Sequence, residues 1–129
     1  MNELSIEAKL ENMGAVMDFV NKHLMDCSPK VCNQIGIAID EVFSNIANYA
    51  YSEMGDVVIR ISVGDEVVIE FEDKGVPYNP LERADLDAKA VTRKRQVGGL
   101  GLFMVNKIMS AVEYRREENK NILTIKKEK

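Results

Sequence analysis

The chain has 129 residues, of which 46% are hydrophobic and 29% are charged, a composition typical of one globular domain with a substantial core. Its formal net charge is −4, which argues against DNA or RNA as a direct partner. No apolar run approaches the roughly 18 residues that a membrane span requires. The first residues also lack the basic and apolar segments of a signal peptide. We therefore expect a single cytoplasmic domain over residues 1–129, with no direct DNA binding and no membrane contact.

The chain has two cysteines and one histidine. Cys27 and Cys32 have no companions at metal-ligand spacing, so a reduced pair in the cytoplasm is the preferred interpretation. His23 stands alone in a predicted helix, where a surface or packing role is more common than a chemical one.

The first elements follow from apolar periodicity. Leu4, Ile6, Ala8 and Leu10 alternate with polar residues, which predicts a half-buried strand. Asn12 is a candidate N-cap for a following helix. The apolar face of that helix repeats at helical spacing and consists of Met13, Val16, Met17, Val20 and Leu24.

A second helix is predicted from Pro29 to about Tyr51, with Ser28 as its N-cap and proline in the first helical position. Its apolar stripe consists of Val31, Ile35, Ile39, Val42 and Ile46. Glu41, Asn45 and Asn48 recur at i, i+4 and i+7, and at about 100° per residue they fall within a narrow arc beside that stripe. This polar row is either a solvated stripe or the rim of a site. Asparagine is a mediocre helix former, so two of them inside a helix favour a specific role.

A β-hairpin follows the second helix. Two alternating segments, Val57–Val63 and Val67–Phe71, flank the turn residues Gly64 and Asp65. The same alternation places Asp73 on the apolar face of the second strand, where a carboxylate is costly to bury without a hydrogen-bond donor. A strand cap or an Asx-turn explains Asp73 equally well in isolation.

The next stretch is polar and aperiodic. After a turn-rich loop, Lys74–Pro80, the residues from Leu81 to Val97 show no sustained apolar period. We expect a mobile lid there. The basic run Arg93–Arg95 at its end is either a phosphate contact or a solvated surface.

Glycines open the last predicted helix. Gly98, Gly99 and Gly101 precede an apolar helical run, and glycine lets a backbone pass close to a ligand because it has no Cβ. A helix N-terminus supplies unpaired N–H groups and a partial positive charge, which together favour an anion such as phosphate. A tight turn alone explains the same glycines. A final hairpin is predicted over Glu113–Glu117 and Ile122–Lys126, around a turn at Glu118–Asn121.

Taken in order, these features resemble the GHKL ATPase superfamily, and within it the small anti-sigma-factor serine kinases of bacteria. The helix motif, with Glu and Asn four apart, is met by Glu41 and Asn45. The Asp-x-Gly-x-Pro motif is met by Asp73, Gly75 and Pro77. The Gly-rich motif is met by Gly98–Gly101, and a closing strand carrying threonine is met by Asn121–Ile125. The resemblance covers nearly the whole chain.

This resemblance implies an α+β sandwich of the Bergerat ATP-binding type, with a mixed, mostly antiparallel sheet and helices on one face. It implies ATP and Mg²⁺ as cofactors. Asp73 would accept a hydrogen bond from the adenine amino group, Asn45 would bind Mg²⁺ through its amide oxygen, and Glu41 would be the catalytic general base. The full nucleotide-binding set that it implies is Asn45, Asn48, Asp73, Gly75, Pro77, Gly98, Gly99, Leu100, Gly101, Leu102 and Thr124, with Thr124 reaching adenine through water.

The resemblance also implies a function. We expect a serine/threonine kinase that phosphorylates a STAS-type anti-sigma-factor antagonist, holds a sigma factor inactive and forms a homodimer. The alternative is a nucleotide-dependent module that switches partners without phosphorylating them, and Glu41 favours the kinase because a binding module does not need that carboxylate. A histidine kinase is disfavoured, since His23 is the only histidine and about twenty residues precede it, too few for a phospho-acceptor helical hairpin.

Overall fold

The computed structural model describes residues 1–49, 55–75 and 99–129, and for Tyr49 and residues 99–103 the backbone alone. The described elements, in chain order, are β1 (Asn2–Glu7), a 3₁₀ turn (Leu10–Asn12), α1 (Met13–Asn21), α2 (Pro29–Tyr49), β2 (Asp56–Val63), β3 (Glu66–Asp73), α3 (Gly99–Ile108), β4 (Ala111–Glu117) and β5 (Lys120–Glu128).

The five strands form one sheet in the order β1-β2-β3-β5-β4. Every pairing between neighbouring described strands is antiparallel. The chain closes two hairpins, β2–β3 and β4–β5, and brings β5 beside β3 at the centre of the sheet. The predicted α+β class is therefore confirmed, with its antiparallel sheet and helices.

One face of the sheet forms the core with the helices. Along each strand alternate residues point to this face, because the side-chain period of a strand is two. The buried strand residues in this core are Val57, Ile59, Ile61, Val67, Ile69, Phe71, Leu123 and Ile125. They pack against Val16 and Val20 of α1, against the apolar stripe of α2, and against Val105 of α3. The helices thus lie on one side of the sheet, and α2 packs against both α1 and α3.

Helix α2 begins as its sequence predicts. The backbone N–H of Val31 donates to Oγ of Ser28 at 3.2 Å, and Pro29 occupies the first helical position. A serine side chain satisfies an N–H group that has no partner within the helix, and proline loses nothing there because it has no N–H. All five residues of the predicted apolar stripe are buried. The register of α2, and hence the direction of its polar row, is set by this stripe.

The structure corrects two predictions near the N-terminus, the end of the first strand and the N-cap of α1. Strand β1 ends at Glu7, and Leu10, expected on the strand, begins the 3₁₀ turn and is exposed. Asn12 makes no side-chain cap to α1. Its Nδ2 donates instead to the carbonyl of Glu7 at 2.9 Å. The side chain therefore ties the turn back to the strand.

The β4–β5 turn is shorter than the sequence suggests. Glu117 pairs with Lys120, so the connection consists of Glu118 and Asn119 alone. Both residues have positive φ, 51° and 63°, as a two-residue type I′ turn requires. Consequently Asn121, expected in the turn, belongs to β5.

None of the helices in the described ranges is long and apolar enough to cross a membrane.

Candidate functional site

The polar row on α2 lies at the edge of the core. Asn45 is buried with 4% of its surface exposed, Glu41 is half-buried one turn earlier, and Asn48 is exposed. Around the helix axis, burial therefore decreases from Asn45, which abuts the core, through Glu41 to Asn48 at the surface. The row lies on the side of the sheet that the helices cover. The last residue of β3 faces the same side.

The carboxyl group of Glu41 is perturbed. Burial raises its pKa above the ordinary value, and the neighbouring Asp40 carboxylate raises it further. Asp40 itself is exposed and accepts a 3.4 Å hydrogen bond from Oγ of Ser44. A carboxylate with a raised pKa binds a proton more readily than one in water, which suits a general base.

Asp73 ends β3 on the core face, as the strand alternation predicts, and only 5% of its surface is exposed. Its Oδ1 accepts two hydrogen bonds of 2.9 Å, from the backbone N–H of Gly75 and from Nδ2 of Asn121. The bond from Gly75 is the local bond of an Asx-turn, so the alternative interpretation of Asp73 accounts for one of its partners. Within the described residues Oδ2 receives no such bond, which leaves it as the free acceptor.

The pKa of Asp73 is raised, and burial is the main cause, with the Glu72 carboxylate adding to it. The bonds from Asn121 and Gly75 and the positive charge of Arg116 oppose that rise without cancelling it. The folded protein thus keeps this carboxylate in place at a cost in stability. Perturbed carboxylates of this kind cluster at functional sites.

Asn121 is the partner of Asp73 across the sheet. The two residues pair directly between β5 and β3, so their side chains lie on the same face. Oδ1 of Asn121 accepts from the hydroxyl of Tyr114 at 2.6 Å and from Nη1 of Arg116 at 3.1 Å. The same Nη1 donates to the carbonyl of Gly75 at 2.9 Å. We call the hydrogen-bonded set of Asp73, Gly75, Tyr114, Arg116 and Asn121 the Asp73 cluster.

Thr124 lies elsewhere. It pairs with Glu70 of β3 and Glu113 of β4, and these residues belong to the sheet face opposite to Asp73. Thr124 does not lie beside Asp73, so the register does not support the predicted water-mediated contact with adenine. The physical reason is the strand period of two, because Thr124 stands an odd number of residues from Asn121.

Sequence reasoning missed three members of the Asp73 cluster: Asn121, Tyr114 and Arg116. The signal for Asn121 was present, since Asn121, Leu123 and Ile125 alternate along one face. It was masked because Asn121 follows three polar residues that look like a longer turn. Arg116 lies directly opposite Asn121 on β4 only because the turn has two residues.

The glycine-initiated helix begins at Gly99, so the backbone of Gly99, Leu100, Gly101 and Leu102 forms the first turn of α3. The N–H groups of that turn have no acceptor within the helix, as a phosphate site requires. Gly98, Pro77 and the expected lid, residues 81–97, lie outside the described residues, as does the basic run before the glycines.

The other singled-out residues pack rather than react. His23 stacks edge-on against Phe19, with ring centroids 5.3 Å apart, and its Nε2 is buried without a hydrogen-bond partner among the described residues. Cys27 and Cys32 are free thiols, and Sγ of Cys32 lies 3.7 Å from the carbonyl oxygen of Leu24.

Similarity to solved structures supports the architecture. The chain resembles the histidine kinase domain of a blue-light-activated histidine kinase from Erythrobacter litoralis EL346, with a TM-score of 0.58 and 20% sequence identity. The match covers 92% of this chain and 59% of that one. At this identity the similarity concerns the fold alone.

Curated relatives are regulatory proteins of bacteria. The chain is 28% identical to an anti-sigma F factor of Clostridium perfringens, over 99% of this chain and 96% of that protein. It is 26% identical to the serine/threonine-protein kinase BtrW of Bordetella bronchiseptica, over 69% of this chain and 65% of that protein. It is 30% identical to the serine-protein kinase RsbW of Bacillus cereus, over 70% of this chain and 60% of that protein. The aligned part thus spans under two thirds of each of the two kinases.

A family model described as a histidine kinase-like ATPase domain matches residues 6–127. The match includes every described element except the first residues of β1 and the end of β5, and it includes both the polar row of α2 and the Asp73 cluster. An ATPase domain of this kind implies ATP binding. The chain therefore belongs to the histidine kinase-like ATPase domain family of the GHKL superfamily.

Proposed function

We propose that the protein is an MgATP-dependent serine/threonine kinase that phosphorylates an anti-sigma-factor antagonist and holds a sigma factor inactive. The observation that carries the proposal concerns two residues of α2. Glu41 is half-buried and has a raised pKa, and the buried Asn45 lies one helical turn after it. A module that only binds nucleotide gains nothing from a perturbed carboxylate at this position. The relatives named as anti-sigma factor and serine-protein kinases support the same assignment.

The adenine base would be selected by Asp73. Its Oδ1 is engaged by two donors, so Oδ2 is the oxygen that can accept from the exocyclic amino group of adenine. Guanine carries a carbonyl at that position, which would face the carboxylate with no proton between them. Such an unmatched buried polar pair costs about 1–3 kcal/mol, enough to discriminate between the two nucleotides.

Asn45 would hold Mg²⁺ through its amide oxygen. The residues fit this ion because Mg²⁺ prefers oxygen ligands and is usually bound by one or two protein groups together with waters and substrate phosphates. The described residues include no cluster of three or more His, Cys, Asp or Glu side chains of the kind that forms an all-protein cage. When bound, the ion supplies charge neutralisation to the phosphates.

Glu41 would act on the acceptor protein. Its carboxylate accepts the proton of the serine or threonine hydroxyl while the hydroxyl oxygen bonds to the γ-phosphorus of ATP. The bond from that phosphorus to the bridging oxygen breaks, and ADP carries away the electron pair. The first-turn N–H groups of α3, from Gly99 to Leu102, would hold the phosphates. Asn48, exposed at the outer end of the row, would contact the nucleotide from the rim.

The partners follow from the same proposal. The phosphate acceptor is a small antagonist of STAS type, and the second partner is a sigma factor. The protein works as a homodimer in the cytoplasm, where sigma factors meet RNA polymerase. Pro77 and Gly98 complete the nucleotide site through the motifs to which they belong.

The test is phosphate transfer to a cognate antagonist. The protein is incubated with MgATP and the antagonist, and intact mass spectrometry follows the added phosphate. We expect transfer by the wild type and by Asp40→Asn, which removes the neighbouring exposed carboxylate on the same helix. We expect transfer to slow about 10²–10⁴-fold in Glu41→Gln. If the wild type binds ATP and partner but transfers nothing, the protein is a partner-switching module instead.

A further inference from the structure

We propose that Asn121, held by Tyr114 and Arg116, is a positioning residue that orients Asp73 for the adenine amino group. This inference rests on the proposed ATP site and adds to it three residues to which the resemblance assigns no role. The Asp73 cluster draws on the end of β3, the loop that follows it, and both strands of the β4–β5 hairpin.

The first step is the restraint on Asp73. Asn121 and Gly75 donate to the same oxygen, Oδ1, each at 2.9 Å. Rotation of the carboxylate about its Cβ–Cγ bond would break both bonds inside a site where only 5% of Asp73 is exposed. The carboxylate plane is therefore fixed, and Oδ2 keeps one direction in which to accept a hydrogen bond.

The second step is the orientation of the Asn121 amide. An asparagine can present either its oxygen or its NH₂ group to a neighbour, and the surrounding bonds decide which. A guanidinium can only donate, so Nη1 of Arg116 at 3.1 Å requires the amide oxygen on its side. The hydroxyl of Tyr114 donates to the same oxygen at 2.6 Å. The NH₂ group must then face Asp73, where it is the donor that a carboxylate needs.

The third step closes a ring. The Nη1 that fixes Asn121 also donates to the carbonyl of Gly75 at 2.9 Å, and the N–H of Gly75 donates to Asp73. One guanidinium therefore controls both donors of the carboxylate, one through a side-chain amide and one through the loop backbone. Because the members are hydrogen-bonded in a closed ring, loss of one loosens the others.

The ring has a specific consequence for recognition. If Asp73 is oriented in advance, the hydrogen bond to the adenine amino group forms without ordering a side chain, and more of its free energy appears as affinity. If the ring is broken, the carboxylate turns or tilts, and ATP loses its advantage over a purine nucleotide without the amino group. The phosphate contacts lie on other elements and are unaffected.

The experiment measures this advantage directly. Isothermal titration calorimetry compares ATP with purine riboside triphosphate, which differs only by lacking the 6-amino group. For the wild type we expect ATP to bind at least about tenfold more tightly, equivalent to about 1.4 kcal/mol. For Asn121→Ala we expect that ratio to fall to about one to two, with the affinity for purine riboside triphosphate little changed. For Tyr114→Phe, which leaves Arg116 in place, we expect a loss of about threefold in the same ratio.

Matched variants separate positioning from general destabilisation. Arg115 neighbours Arg116 on β4 but lies on the opposite face, exposed and paired with Glu117 at 3.3 Å. Arg116→Gln should lower the ratio, and Arg115→Gln should leave it unchanged. In the Asn121→Ala background, Tyr114→Phe should cause no additional loss, because Tyr114 acts through Asn121. Thermal unfolding of each variant verifies that it is folded.

The outcomes are distinguishable. If the wild type prefers ATP and Asn121→Ala retains that preference, the positioning role is wrong while the proposed function stands. If Asn121→Ala does not fold, Tyr114→Phe and Arg116→Gln carry the same test, and a ratio unchanged in both overturns the inference. If the wild type itself binds no adenine nucleotide, the proposed function fails, and the positioning role fails with it.

Discussion

Nδ2 of Asn121 donates a 2.9 Å hydrogen bond to Oδ1 of Asp73 across the β3–β5 pair, and each side chain has only 5% of its surface exposed. A buried carboxylate without donors is expensive, and here one donor comes from the neighbouring strand and one from the loop backbone. The pair therefore links the central strands of the sheet to the proposed nucleotide site, and it is the basis for the first two predictions.

Asp73→Asn should remove ATP recognition. An asparagine in this position can still accept from Gly75 and Asn121 through its oxygen, but it then presents NH₂ to the adenine amino group, so two donors face each other. We expect ATP affinity to fall by about 5- to 150-fold, the equivalent of the roughly 1–3 kcal/mol cost of an unmatched polar group. Calorimetry with ATP and GTP measures the change, and equal wild-type affinity for the two nucleotides would contradict the assignment.

Thr124→Val is the matched control for that measurement. It alters a buried polar residue of β5 that lies on the opposite face of the sheet. We expect ATP affinity within about twofold of the wild type, a difference of about 0.4 kcal/mol. A loss as large as that of Asp73→Asn would mean that the strand register is wrong.

The same carboxylate should make stability depend on pH. Burial raises the pKa of Asp73 in the folded protein above its ordinary value, so the folded state holds a proton that the unfolded state has already released. Stability therefore falls as pH rises from the ordinary Asp pKa through the raised one. Asp73→Asn removes this dependence, and we expect its melting temperature at pH 7 to equal or exceed that of the wild type.

Thermal unfolding of both proteins between pH 4 and pH 8, without nucleotide, provides the check. Glu41 also has a raised pKa and contributes a decrease of the same sign, so the informative quantity is the difference between wild type and variant. An Asp73→Asn protein that is clearly less stable at pH 7 would show that the ionised carboxylate stabilises the fold, contrary to this argument.

Substitution of Glu41 and substitution of Asn45 should affect nucleotide binding and phosphate transfer differently. Glu41→Ala should leave MgATP affinity near normal, because the base contacts the acceptor hydroxyl, and should slow transfer about 10²–10⁴-fold. Asn45→Ala should weaken Mg²⁺-dependent nucleotide binding and transfer together, because Asn45 would hold the ion that neutralises the charge of the phosphates. Calorimetry with and without Mg²⁺, combined with phosphotransfer rates, separates the two effects.

The pH dependence of transfer gives a second measurement on Glu41. The base must be ionised to accept a proton, and burial raises its pKa. We expect the rate to rise with pH through a value above the ordinary range of a glutamate and then to level off. A rate independent of pH across that range, with Glu41→Ala still active, would assign the role to another group.

The β4–β5 turn offers a stability test that leaves the site intact. Glu118 has a φ of 51°, a left-handed conformation that costs most residues about 1–2 kcal/mol and that asparagine tolerates better. Glu118→Asn should therefore raise the free energy of unfolding by about 0.5–1 kcal/mol. Chemical denaturation measures it, with the exposed Glu113→Asn on the adjacent strand as the control for loss of a carboxylate.

Much of this protein could be predicted from local pattern. The apolar stripe of α2, the capping by Ser28, the β2–β3 hairpin and the position of Asp73 on the core face all follow from periodicities of 3.6 and 2 and from the chemistry of single residues. The same reasoning placed Glu41, Asn45 and Asn48 in one row at the edge of the core. These features depend on neighbours within a few residues, so the sequence by itself determined them.

The partners of Asp73 could not be predicted in that way. Whether Asn121 or Thr124 lies beside it depends on the β3–β5 register, which is set by pairing between strands that are distant in the sequence. Because a strand alternates faces at every residue, a shift of one residue in that register would bring the wrong side chain to the site. Tyr114 and Arg116 can join the Asp73 cluster because β5 lies between β3 and β4 in the sheet. Only the tertiary structure decided these contacts, since residues 48 positions apart meet only when the strands pair.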